Sequence, residues 1–226
     1  MTNTLKALSA HILTASGVLL ALWALILIVE GEAQYSLILL GIAALIDTVD
    51  GTLARRVDVN KHLPQVDGAL LDNIVDYLAW VFLPVVWATY FLDLHFLAGS
   101  AVLICSLFGF SHKEAKTETY FFRGFPSLWN LVVLYLYVLG ASPLITTLVM
   151  VVLAGLVLAP LKFVYPSRTE QWRRTTLLLS VPYSLMLICM LIWMHETPLW
   201  FTILSFYYPV YYVIASWFLA GRGVDE

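Results

Sequence analysis

Long apolar runs separated by short polar connections dominate the chain from one end to the other. A helix needs about twenty apolar residues to cross a bilayer, so 226 residues with short loops admit roughly eight such helices. We place the spans at about residues 8–29, 35–53, 67–90, 93–110, 127–140, 143–163, 174–194 and 198–219. Glycines and prolines such as Gly31, Gly140 and Pro198 mark the connections. The pattern predicts an all-α integral membrane protein, a bundle of about eight transmembrane helices.

The composition excludes an ordinary soluble domain. The chain is 61% hydrophobic and 12% charged, with a mean hydropathy of +0.87, whereas about a quarter of the residues in a soluble domain are charged. The first apolar run is too long for a cleaved signal sequence, and we interpret it as a retained helix. Cys105 and Cys189 both lie in apolar runs and are expected to be free thiols. We expect a single membrane domain over residues 1–226.

The distribution of basic residues predicts the orientation in the membrane. In the eight-span layout all 12 lysines and arginines fall at one side of the bundle. The loops at the other side contain Glu30, Glu32, Asp93 and Glu196 but no basic residue. Basic residues accumulate on the cytoplasmic side. We therefore expect a multi-pass membrane protein with both termini in the cytoplasm. The polar stretch 111–127 is expected to form an interfacial helix or a structured loop.

A group of acidic residues at the second and third spans carries the candidate chemistry. The order is D-x2-D-G-x2-A-R-x12-G-x3-D-x3-D, formed by Asp47, Asp50, Gly51, Ala54, Arg55, Gly68, Asp72 and Asp76. The first two aspartates share one face of a helix, as do the last two. Carboxylates are unfavourable in lipid unless they serve a function. Four of them on two adjacent helices would converge on one or two divalent cations, and oxygen ligands suit magnesium or manganese.

The small and basic residues of the same group fit a phosphate ligand. Glycine and alanine beside the acids allow close helix packing or close approach of a phosphate to the backbone. Arg55 lies at the membrane boundary, where a guanidinium can bind a phosphate through paired hydrogen bonds. By contrast, we interpret Asp58 and Asp67 as loop or cap residues. The five histidines of the chain show no ligand spacing and are interpreted as structural.

This arrangement resembles the signature of the CDP-alcohol phosphatidyltransferase family, although the gap before Gly68 is longer than in many members. The resemblance implies a helical membrane fold around a two-metal site at the cytoplasmic ends of helices two and three. A CDP-linked lipid would bind there, and an alcohol would displace CMP. Three longer runs, residues 11–17, 67–72 and 122–130, resemble a bacterial branch of the family that uses choline as the alcohol.

The resemblance also implies a role for each residue of the motif. The four aspartates would hold two divalent cations, manganese or magnesium, and Asp76 would also be the general base that removes the hydroxyl proton. Gly51 and Arg55 would contact the diphosphate and cytidine region of CDP-diacylglycerol. Ala54 and Gly68 would let the substrate approach closely.

Choline as a substrate predicts aromatic side chains near the site, since a quaternary ammonium binds to ring faces. Aromatic candidates in the half of the chain's layout that faces the cytoplasm are Tyr77, Tyr120, Phe121, Phe122, Trp129, Tyr165, Trp172 and Tyr183. Interfacial aromatics also anchor membrane proteins, so no particular set is assigned. For Asn130, pocket lining and helix–helix bonding are equally good interpretations.

Two alternatives remain open at this point. An enzyme of the same family could use serine or inositol as acceptor. An ion-coupled transporter is the alternative from another class, because buried acids also mark ion pathways. Against transport, the acids within the membrane are confined to the second and third spans. The expected partners are CDP-diacylglycerol, choline and membrane lipid, with a possible homodimer and no nucleic acid.

Overall fold

The computed structural model describes residues 3–115, 117 and 120–221. Within these ranges the chain forms eleven α-helices, one π-helical segment and two short strands. The first four helices are α1 (Asn3–Val29), α2 (Ala33–Arg56), α3 (Val59–His62) and α4 (Gly68–Asp76). The π-helical segment Tyr77–Phe82 leads into α5 (Leu83–Phe91), which is followed by α6 (Phe96–Ser111) and strand β1 (Phe121–Arg123). The remaining elements are α7 (Trp129–Val138), α8 (Pro143–Leu158), β2 (Lys162–Val164), α9 (Arg173–Ile192), α10 (Leu199–Ser205) and α11 (Tyr207–Ala220).

Each predicted span contains one long helical unit, but the units differ in length. Five helices in the described part of the chain are long and apolar enough to cross a membrane, and α6, α7 and α8 are shorter. The prediction of a helical, multi-pass membrane protein is confirmed, whereas the number of eight crossings stays a prediction. Large apolar side chains such as Phe96 and Trp217 remain exposed on the outer faces, as expected where lipid covers the protein.

Two predicted boundaries differ from the structure by about five residues, the start of the first span and the end of the sixth span. We expect the sixth span to run to residue 163, but α8 ends at Leu158. Pro160 is two residues further on, and a proline pushes the residue before it, Ala159, out of helical geometry. The backbone then continues extended into β2.

A small antiparallel sheet was not foreseen from the sequence. Strand β1 pairs with β2, with Phe122 opposite Phe163. The described part of the polar stretch 111–127 is therefore a structured loop with a short strand, and a structured loop was one of the two expectations. The two strands are far apart in sequence, with α7 and α8 between them. Next to the sheet, Gly124 has φ +76°. A Cβ there would collide with the carbonyl oxygen of Val157, so only glycine fits.

Two fully buried tryptophans donate hydrogen bonds to neighbouring helices. Trp87 donates from Nε1 to the carbonyl of Ala33 at 3.0 Å and to Ser36 Oγ at 3.1 Å. Trp129 donates to Ser106 Oγ at 2.9 Å. A buried indole N–H needs such a partner where water is absent. Both cysteines are free and partly buried, as expected.

Helix α1 packs along α2 and also contacts α4, so the two motif-bearing helices share a neighbour. The approach of α1 to α4 is close, because a Cβ at Gly17 would lie 2.6 Å from Val75 Cγ1. Small residues at such contacts let helix backbones approach in a membrane. This three-helix arrangement positions the candidate site.

Candidate metal and substrate site

The last turns of α2 carry the first two acids of the motif. Asp50 is 3% exposed, and its Oδ1 has no hydrogen-bond partner among the described residues. Asp47 lies three residues earlier on the same helical face and is partly buried. A buried, unpartnered carboxylate oxygen is strongly unfavourable unless a cation compensates it.

Helix α4 brings the third acid to the same place. Asp67 caps its start, accepting hydrogen bonds at Oδ1 from the backbone N–H groups of Ala69 and Leu70, both at 3.0 Å. This confirms the interpretation of Asp67 as a cap residue. Asp72 follows on α4 and is partly buried.

The three acids converge into a candidate metal centre. Asp47, Asp50 and Asp72 each offer a ligand atom, and these atoms lie within 4.8 Å of one another. Three oxygen donors at this spacing, one of them buried without a partner, fit a hard divalent cation. Asp76 lies outside this group of three, one helical turn beyond Asp72 and directly before the π-helical segment.

Arg55 and its neighbours form the exposed rim of the site. The guanidinium folds back along α2, with Nη2 donating to Thr52 Oγ1 at 3.1 Å. A Cβ at Gly51 would lie 3.3 Å from Arg55 Nη1, so the glycine leaves room for this conformation. Ala54 is partly buried against the apolar cluster formed by Ala7, Ala10 and Val59. The motif's small residues thus contact other parts of the chain as well as bordering the acids.

Gly68 lies against a histidine of the first helix. A Cβ at Gly68 would be 3.0 Å from His11 Cε1 and 3.7 Å from its Nδ1, so the ring occupies the space beside this glycine. His11 is 7% exposed and its Nε2 has no hydrogen-bond partner within the described ranges. It lies in the third turn of α1, because α1 begins at Asn3 and not near residue 8.

The helix beyond Asp76 changes its hydrogen-bond pattern. In the π-helical segment Tyr77–Phe82, the N–H of Leu83 bonds to the carbonyl of Leu78, five residues back. Pro84 follows, and proline has no N–H with which to continue an α-helical pattern. Short π-helical segments within α-helices often occur at functional sites, where they change the direction of side chains along the helix.

Asn130 bonds to a carbonyl that this change leaves free. In an α-helix Leu83 would bond to Ala79, but here Asn130 Nδ2 on α7 donates to the Ala79 carbonyl at 3.1 Å. Asn130 is 9% exposed, and its Oδ1 has no partner in the part of the chain that the structure describes. The helix–helix interpretation of Asn130 is therefore correct for the amide nitrogen.

The aromatic candidates are distributed over separate contacts. Tyr77 lies edge-on to Phe110 at 5.9 Å, while Phe122 stacks on Tyr165 at 4.5 Å. The guanidinium of Arg168 already lies over the Tyr165 ring, 5.5 Å from its centre. Trp129 and Phe121 are buried in the fold itself.

Comparison with known proteins places the chain in a family. The CDP-alcohol phosphatidyltransferase profile matches residues 7–184, which include every residue of the aspartate motif. The chain belongs to the CDP-alcohol phosphatidyltransferase family. The resemblance inferred from the motif is confirmed at the level of the family.

Several relatives carry the same name. The chain is 42% identical to phosphatidylcholine synthase of Pseudomonas aeruginosa over 75% of its own length and 73% of the relative. It is 36% identical to that of Borreliella burgdorferi over 79% and 78%. It is 34% identical to that of Legionella pneumophila over 92% and 86%. The similarity thus extends well beyond the motif of the phosphatidyltransferase family.

The motif does not identify two buried polar residues in this part of the fold, His11 beside Gly68 and Asn130 at the Ala79 carbonyl. His11 was grouped with the other histidines as structural, and Asn130 was left undecided. The available signal was their position, because His11 begins the run 11–17 and Asn130 ends the run 122–130. These are two of the three runs that resembled the choline-specific branch.

Proposed function

We propose that this protein is a phosphatidylcholine synthase, which transfers the phosphatidyl group from CDP-diacylglycerol to choline and releases CMP. The observation that carries the proposal is the convergence of Asp47, Asp50 and Asp72, with a buried and unpartnered oxygen on Asp50. It occurs in a phosphatidyltransferase whose relatives named above are phosphatidylcholine synthases.

In this proposal the four aspartates of the motif hold two divalent cations, manganese or magnesium. Bound cations supply charge neutralisation at the diphosphate and at the departing CMP. Asp47, Asp50 and Asp72 form the nearer group in the structure. Asp76, one turn farther along the helix, completes the set and faces the acceptor alcohol.

Asp76 accepts the proton in the proposed reaction. The hydroxyl oxygen of choline forms a bond to the lipid-proximal phosphorus, the bond from that phosphorus to the oxygen of CMP breaks, and the hydroxyl proton moves to the Asp76 carboxylate. A carboxylate is a weak base for an alcohol, so proton transfer and bond formation occur together. The π-helical segment after Asp76 and the Asn130 bond hold this part of the helix in register.

The remaining motif residues bind the nucleotide half of the substrate. Arg55 is exposed at the rim and can turn from Thr52 to a phosphate oxygen. Gly51 and Ala54 keep the α2 surface low beside it, and Gly68 allows close approach on the α4 side, where the His11 ring takes the space of a side chain. Acyl chains then remain in the lipid while CMP leaves toward water.

The proposal includes the wider architecture. The chain is a single membrane domain over residues 1–226 with eight spans, both termini and the active site in the cytoplasm of a bacterial inner membrane, and it can pair as a homodimer. The one-sided distribution of lysine and arginine supports this orientation. A topology reporter inserted after Gly31 should report the outer side, and one after Lys113 the cytoplasm.

Product identification tests the acceptor. Membranes from a host that lacks phosphatidylcholine, with and without the expressed protein, receive CDP-diacylglycerol, manganese and labelled choline, serine or inositol. We expect labelled phosphatidylcholine and stoichiometric CMP with choline alone, both abolished by EDTA. Labelled phosphatidylserine or phosphatidylinositol without phosphatidylcholine would show that serine or inositol, and not choline, is the acceptor. Cation flux in sealed vesicles without CMP release would favour the transporter.

A further inference from the structure

The imidazole of His11 carries a buried nitrogen, Nε2, that has no hydrogen-bond partner in the described part of the chain. It is 7% exposed, and Nε2 makes no hydrogen bond. Nearly all buried polar atoms in proteins are hydrogen-bonded, since leaving one unpaired is destabilising. An exception calls for a group that binds there.

Two neighbours locate this ring relative to the acids. The ring lies against Gly68, which precedes Asp72 by one turn of α4. Ala10, next to His11 in sequence, packs in the cluster that contacts Ala54, one turn beyond Asp50 on α2. His11 is therefore level with one turn of α2 and one turn of α4, each about 6 Å from the acids along the helix axis. In both cases this turn lies on the side of the acids where Arg55 is.

This position matches the nucleotide half of the proposed substrate. A diphosphate bound at the carboxylates extends toward Arg55, where phosphate oxygens need donors. A neutral imidazole donates one N–H, and a donor that is already desolvated and fixed by packing loses little on binding an anionic oxygen. Choline offers no acceptor lone pair on its ammonium end, so it does not suit the ring.

We propose that His11 binds the CDP moiety, donating a hydrogen bond from Nε2 to a diphosphate oxygen, and that Gly68 lacks a side chain because the imidazole occupies that space. This inference rests on the proposed function. It adds a residue of α1 to a substrate site otherwise built from α2 and α4.

Calorimetric titration of CDP into the purified protein in detergent with manganese tests the role of His11 without catalysis. Leucine has a similar volume and no polar atom, while glutamine carries an amide nitrogen at about the reach of Nε2. We expect His11→Leu to weaken CDP binding roughly 10- to 100-fold, the range for a hydrogen bond to a charged group. His11→Gln should stay within about threefold of the wild type, and the KM for choline should be unchanged in both.

His195→Leu is the matched control, because His195 is exposed after the end of α9; it should bind CDP like the wild type. If His11 only fills space, His11→Leu will bind CDP normally, and that result overturns the inference. Should the leucine variant fail to fold, His11→Asn, whose amide is too short, replaces it; equal affinity for the asparagine and glutamine variants also overturns it. A wild-type protein that neither binds CDP nor releases CMP instead refutes the proposed function.

Discussion

Replacing Asp50 with asparagine separates the stability of the fold from its capacity for metal. The change keeps the shape of the side chain and removes one charge from the group of three acids. Carboxylate oxygens within 4.8 Å of one another repel by at least about 3.5 kcal/mol for each pair of full charges at an effective dielectric constant of about 20. Partial protonation reduces this repulsion. Without metal we therefore expect Asp50→Asn to be more stable than the wild type by about 2 kcal/mol, or roughly 4–8 °C in the unfolding midpoint.

Manganese should reverse the order. A cation that binds only the folded state stabilises it by about 2.7 kcal/mol at a concentration 100 times its Kd. The assay is thermal unfolding of the purified proteins in detergent, followed by intrinsic tryptophan fluorescence, in EDTA and in increasing manganese. The wild type should gain stability with manganese, whereas Asp50→Asn should respond weakly and show no CMP release.

Asp67→Asn controls for the replacement of an aspartate carboxylate by an amide. Asp67 caps α4, and asparagine caps helices about as well as aspartate, so this variant should keep the wild-type response to manganese. The reasoning is refuted if the wild type shows no manganese-dependent shift, or if Asp50→Asn is the less stable protein in EDTA.

Three further predictions address other residues. Asp76→Asn should abolish CMP formation while leaving the unfolding midpoint unchanged in EDTA; wild-type activity in that variant would remove the proposed general base. Gly124→Ala should destabilise the fold by more than about 3 kcal/mol, because its Cβ would collide with the Val157 carbonyl. Gly140→Ala, also at positive φ but in open space, should cost about 1 kcal/mol, and equal unfolding midpoints for the two alanine variants would contradict the collision. Asn130→Leu should lower stability by about 1–3 kcal/mol by leaving a buried carbonyl unpaired, and should lower kcat about tenfold with unchanged KM values; an unchanged kcat would separate this bond from catalysis.

The pattern of apolar runs was sufficient to predict the helices, because a segment within a membrane must form its backbone hydrogen bonds internally. Each predicted span therefore overlaps an observed helix, although α1 and α2 extend beyond theirs and the short α3 lies outside all of them. The errors occurred where a single residue overrides the pattern. Pro160 ends α8 early, and Pro84 accompanies a π-helical segment inside a run that looked uniformly α-helical.

The motif predicted which residues come together, although not how closely. The spacing placed Asp47 and Asp50 on one face of the second helix and Asp72 on the third. Only helix packing brought their oxygens within 4.8 Å of one another. The same packing left Asp76 outside that group. Sequence spacing carries no information on the distance between two helices, so this difference could not be read from the motif.

From the sequence alone follow the membrane environment, the helical units, the family and the acidic motif, because each depends on hydrophobicity or spacing along the chain. Among the residues that the structure describes, the tertiary structure decided which side-chain polar atoms are buried without a partner, namely those on Asp50, His11, Asn130 and Thr146. It also decided that a histidine of α1 fills the space at Gly68. Burial and contact between distant segments arise only when the helices pack, since neighbours in space then replace neighbours in sequence.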